Sequence, residues 1–97
     1  MKTEQILDEL KWAAKQLGCE VRSEKGNFRG GRCKVGEEEI IMLNKRHLPR
    51  AQLVVLADSL RGLPIDEIFL KPAVRSALEE AWRRDESSEV EGAHDAE

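Results

Sequence analysis

Glu39-Ile40-Ile41-Met42-Leu43 is the stretch on which the fold turns. Its apolar side chains do not alternate with polar ones, so a strand built from them is apolar on both faces and belongs in the middle of a sheet. Gly36-Glu37 just before it reads as a hairpin turn, and Arg32-Cys33-Lys34-Val35 before that alternates as a strand with one half-buried face. Further back, Cys19-Glu20-Val21-Arg22-Ser23 alternates in the same way, with Gly26-Asn27 and Gly30-Gly31 as breaks in between. These runs predict a small three-stranded antiparallel sheet with residues 39–43 at its centre.

Helices flank the strands. Residues 3–17 place Ile6, Leu7, Leu10, Ala13, Ala14 and Leu17 on one stripe at 100° per residue, with Thr3 as a candidate cap and Gly18 where a left-handed stop would fall. Trp12 projects almost opposite that stripe. Pro49 opens a second helix that should run to about Arg61 and stop at Gly62. Its interior, Leu53-Val54-Val55-Leu56-Ala57, is apolar nearly all round and predicts burial. Residues 65–70 fit either a short helical turn or an extended connection. Pro72 then opens a third helix to about Arg84, with Val74, Ala77, Leu78, Ala81 and Trp82 on one face. The order α-β-β-β-α-α defines a single α+β domain over residues 1–84, with about three helices packed on the sheet.

At 97 residues the chain has room for one domain. Apolar residues make up 40% and charged residues 36%, and no run approaches the ~20 apolar residues of a membrane span. The net charge of −3 is unevenly placed. Residues 85–97 hold six acids and no Lys or Arg, which leaves residues 1–84 with 16 bases against 13 acids. That segment reads as a disordered acidic tail. The start of the chain lacks the apolar core of a signal peptide, so a cytoplasmic protein is expected. Cys19 and Cys33 fit neither a zinc nor a redox pattern, and free thiols are expected unless their strands pair.

Chemistry-bearing motifs are sparse. Gly26-Asn27-Phe28-Arg29-Gly30-Gly31 lacks the order of a phosphate loop, and His47 and His94 have no partners at metal-ligand spacing. No cofactor or metal is expected. Hydrolysis by Asp58, Ser59 and His47 is a remote alternative, because Asp58 and Ser59 point 100° apart on a helix. The basic residues are more suggestive: residues 22–50 carry eight bases against four acids. Lys25, Arg29, Arg32, Lys34, Lys45, Arg46 and Arg50, with Phe28 as a stacking ring, form a candidate nucleic-acid surface. Against it stand Glu37-Glu38-Glu39 and a pI near 5.5.

Residues 30–62 also carry a resemblance. Gly30-Gly31, a strand ending Leu43-Asn44 and a helix containing Leu56-Ala57-Asp58-Ser59-Leu60-Arg61-Gly62 resemble the strand and active helix of ImmA/IrrE-type minimal zinc peptidases. In that family the helix reads Leu-Ala-His-Glu-Leu-Gly-His. Here Asp58 and Gly62 replace the two metal-binding histidines and Ser59 replaces the water-activating glutamate, so the resemblance implies a zincin-like skeleton without zinc hydrolysis. Pro72-Ala73-Val74-Arg75 is similar to the start of the last helix in small bacterial proteins with no assigned function.

The leading expectation is a non-catalytic interaction module with a protein partner, Trp12 in its contact surface. A homodimer is one form this can take. The alternative is a nucleic-acid-associated protein using the basic 22–50 stretch.

Overall fold

The elements follow one another as α1 (Thr3–Gln16), β1 (Cys19–Glu24), β2 (Gly31–Val35), β3 (Glu38–Asn44), α2 (Pro49–Ser59), a 3₁₀ turn (Ile65–Glu67) and α3 (Pro72–Asp95). The computed structural model describes residues 1–84 in full and the backbone of α3 to Asp95. The acidic tail expected over residues 85–97 lies outside those fully described residues.

α1 buries Leu7, Leu10, Ala13 and Ala14 along its stripe. Lys2, rather than Thr3, is its N-cap, and the Lys2 backbone N–H donates to Gln5 Oε1 at 3.0 Å. Gly18 follows the last turn at φ +89°, a conformation that suits a residue without Cβ.

The α+β class and the central place of β3 agree with the sequence, but the sheet is mixed, not antiparallel. Its order is β1-β3-β2, with β2 antiparallel and β1 parallel to β3. Connection length supplies the reason. The β2–β3 hairpin puts the start of β2 beside the end of β3, at Gly31↔Met42. Only residues 25–30 join β1 to that point. With β1 parallel to β3, both strands end together at Glu24↔Asn44, and the link spans two strand spacings, ~10 Å, around the end of β3. An antiparallel β1 would end at the far side of the sheet, and six residues would have to run almost fully extended across its face.

Asn44 holds this crossing in place. It is 2% exposed, and its Nδ2 donates to the carbonyls of Gly26 (2.9 Å) and Phe28 (2.7 Å) while its Oδ1 accepts from the Arg46 N–H (3.0 Å). The Lys45 N–H donates to the Glu24 carbonyl at 2.9 Å, closing the same end. Where the link passes β3, Gly30 lies so close that a Cβ would stand 2.4 Å from the Met42 carbonyl oxygen. Only glycine fits there.

α1 and α2 pack on one face of the sheet, and α3 packs against both of them rather than on the strands. One core cluster joins Leu10, Ile41, Leu43, Leu56, Leu60 and Leu78, among others, and includes Cys19 of β1. Register assigns Ile40, with Glu20 and Cys33 beside it, to the other face. α2 ends at Ser59, two residues short of the expected stop, with Leu60 as C-cap and Gly62 at φ +80°. It buries Val55, Leu56 and Ala57 but leaves Val54 exposed, so the all-round burial expected of it is incomplete: α1, α3 and the sheet leave one side of this helix uncovered. α3 is clasped to α2 by Trp82, whose Nε1 donates to the Ala57 carbonyl at 2.6 Å. Arg61 Nη2 donates to the Trp82 carbonyl at 2.7 Å, and its guanidinium lies 5.8 Å from the ring centroid.

Asn44→Ala leaves two carbonyls and an N–H without their partner. It is expected to lower the unfolding free energy by about 2–3 kcal/mol in urea titration. The conservative Val21→Ile, on the core-facing side of β1, should change it by under ~1.5 kcal/mol.

Candidate functional site

Two surface clefts concentrate the candidate residues. The first lies between α1 and the segment after the 3₁₀ turn. Trp12 is 48% exposed on the face of α1 turned away from the core. Across from it, the extended backbone at Ile68 makes successive side chains alternate: Leu70 is buried, Ile68 partly buried, and Phe69 faces outward at 77% exposure. Trp12 and Phe69 line one cleft of about 430 Å³ together with Asp8, Glu9 and Lys71. The Lys71 Nζ to Glu9 Oε1 ion pair, 3.1 Å, ties the segment to α1 at this cleft. Phe69 escaped the sequence reading, although an apolar triplet in extended backbone must turn one member outward.

The second cleft, about 520 Å³, opens at the end of the sheet where the β1–β2 link rounds β3. Gly26, Asn27, Phe28, Arg29, Asn44, Arg46 and His47 line it, with no carboxylate among them. The candidate basic residues therefore separate. Phe28, Arg29 and Arg46 converge here, and Lys25 and Lys45 lie at the same end of the sheet, each one position beyond the Glu24↔Asn44 pair. Arg32 and Lys34 sit on β2, with Arg32 Nε 3.7 Å from Glu39 Oε2, and Arg50 lies at the start of α2 beside Thr3 of α1. His47, weighed in the sequence as a metal ligand and in a remote hydrolase alternative, joins the cleft. Its backbone N–H donates to the Asn44 carbonyl at 3.0 Å, and its carbonyl accepts from Gln52 Nε2 at 2.8 Å.

The thiols sit in contrasting places. Cys19 and Cys33 are both free, and β3 stands between their strands. Cys19 is buried on the helix-facing side in register with Glu39, and Cys33 is exposed on the other side in register with Ile40. Burial, then the Glu39 carboxylate, pushes the Cys19 thiol above its usual pKa, and its S–H points to Glu39 Oε2 at 3.9 Å.

At the positions of the zinc motif, Asp58 pairs with Arg61 (3.5 Å) and the buried Ser59 hydroxyl donates to the Val55 carbonyl (2.8 Å). Gly62 lies beyond the end of α2, so positions 58 and 62 do not share a helical face. Among the described residues no group of three or more His, Cys, Asp or Glu side chains could hold a metal ion, and no helix is long and apolar enough to cross a membrane. Comparison with protein families, curated proteins and solved structures returns no match to this chain.

The thiol environments give a direct expectation. With a disulfide-exchange reagent at about pH 8, the native protein should release one equivalent quickly, from Cys33, and the second only on unfolding. Cys33→Ser should abolish the fast phase.

Proposed function

We propose that this chain is a non-catalytic, cytoplasmic interaction module on a zincin-like skeleton, and that it docks a protein partner in the Trp12–Phe69 cleft. The observation that carries the reading is the exposure of two large aromatic rings lining one cleft. Covering them removes on the order of 250 Å² of apolar surface, ~6 kcal/mol before the costs of association. Trp in such a position is a common binding anchor.

The rim specifies the partner's chemistry. Glu9 is engaged by Lys71, while Asp8 has no ion-pair partner among the described residues. A segment that inserts an apolar side chain and brings a Lys or Arg to Asp8 is complementary, with a guanidinium able to stack on Trp12. Support for the zincin-like skeleton is the succession of β3, ending Leu43-Asn44, and α2, with Asp58, Ser59 and Gly62 in place of the catalytic residues. The free thiols Cys19 and Cys33 suit a reducing compartment.

Affinity capture with the full chain, compared across variants, tests the reading. Trp12→Ala and Phe69→Ala should each release the same partner. Leu48→Ala, an exposed apolar residue elsewhere, should retain it. Light scattering on the same proteins tests the second-copy alternative: a dimer lost in both cleft variants would make the partner another copy. Capture and mass unchanged in both cleft variants would refute the proposal.

A further inference from the structure

The second cleft goes beyond that reading. We infer that it is a nucleotide-binding site, in which Arg29 and Arg46 hold phosphate and the Phe28 ring takes a base.

Three observations converge. First, the charges in the cleft are uncompensated. Arg22, Arg32, Arg61, Arg75, Arg83 and Arg84 each sit beside a carboxylate. Arg29, Arg46 and Arg50 have no carboxylate partner among the described residues; Arg50 lies apart at the start of α2, while Arg29 and Arg46 line one cleft with His47. Two guanidiniums on one concave surface, each a planar fork of donors, match phosphate oxygens.

Second, the site is held before any ligand arrives. The Asn44 side chain bonds the Phe28 carbonyl on one wall and the Arg46 N–H on the other, so a single buried amide fixes the backbone positions that carry the ring and the cation. Phe28 is only partly buried and retains an open surface in the cleft. A ring beside phosphate-binding cations is the arrangement that single-stranded nucleic acid uses, with bases stacked and backbone neutralised.

Third, the acids that weigh against this reading in the sequence are distant in space. Glu37 and Glu38 belong to the hairpin at the opposite end of β3 from Asn44. Asn44 is six residue steps along the strand from Glu38, ~20 Å, against a screening length of ~8 Å at physiological salt. Glu24 lies at the basic end but does not line the cleft.

The ligand is a phosphate carrying an aromatic base, which a free nucleotide or a single strand can supply. The test is fluorescence anisotropy of a labelled single-stranded oligonucleotide of about ten residues, titrated with the full chain at about 50 mM salt. Binding should weaken with salt at a log–log slope of about −1.4 for two phosphate contacts, falling to about −0.7 in Arg29→Gln or Arg46→Gln. Each of these variants should lose about tenfold in affinity or more, and Phe28→Ala about fivefold or more. Arg75→Gln, on α3, should bind like the unaltered chain. Competition by a mononucleotide assigns the site to free nucleotides, and competition by oligomers alone assigns it to a strand. Either outcome upholds it. Absence of binding at low salt, binding unaffected by Arg29→Gln and Arg46→Gln, or equal competition by inorganic phosphate would overturn it. Because Trp12 and Phe69 lie outside this cleft, their variants should leave oligonucleotide binding unchanged, which separates the two proposals.

Discussion

The side-chain amide of Asn44 joins three stretches of chain: the end of β3, the link that carries β1 over to β2, and the turn leading into α2. A buried amide is costly unless its donors and acceptor are engaged, and here both kinds are. With those bonds in place the link can round β3 closely, which in turn requires Gly30 where the backbone meets the Met42 carbonyl. The direction of β1, the order of the sheet and the walls of the basic cleft all depend on that crossing. The core itself is independent of it: α1 and α2 pack on the sheet, and α3 on those two helices, through ordinary aliphatic contact.

The same architecture produces two surfaces of opposite chemistry. Phe69 and Trp12 face a rim holding two carboxylates, while Phe28 faces arginines. Each cleft gains from chain brought alongside a regular element: the Phe69 segment against α1, and the β1–β2 link around β3. In each case a specific polar contact holds the loop. Lys71–Glu9 is a partly exposed ion pair that contributes little energy by itself and serves mainly to orient. Asn44 is buried, and its bonds are correspondingly stronger.

Much of the fold was legible because its signals are local. Helical periodicity located α1 and α2 to within a few residues and the start of α3 at Pro72, while α3 runs on to Asp95, past the end expected near Arg84; glycines 18 and 62 marked two of the stops. The doubly apolar run at β3 placed it centrally. Strand direction was misread because Gly26-Asn27 and Gly30-Gly31 mark only breaks in the chain and carry no direction, whereas the six-residue link set by the ends of β1 and β2, taken with a central β3, favours a parallel β1. The candidate residues fared unevenly. Trp12 is exposed as its helical position implied. Of the basic set, Phe28, Arg29 and Arg46 share a cleft, while Arg32 turns to Glu39 and Arg50 lies beside α1. Phe69 was missed because it carries no signal of its own, and His47, weighed for other chemistry, was not placed with the basic residues it joins.

The sequence by itself determined the α+β class, the places of the helices and the central strand, since these follow from the spacing of apolar residues along a few turns or a single strand. Tertiary structure alone decided which charges are compensated. Glu39 is five residues from Lys34 and seven from Arg32, yet it pairs with Arg32 across the hairpin. Arg29 and Arg46, seventeen positions apart, open into one cleft. Pairing between charges depends on distance in space, which falls off over a few ångströms, and the crossing at Asn44 makes that distance unrelated to separation along the chain.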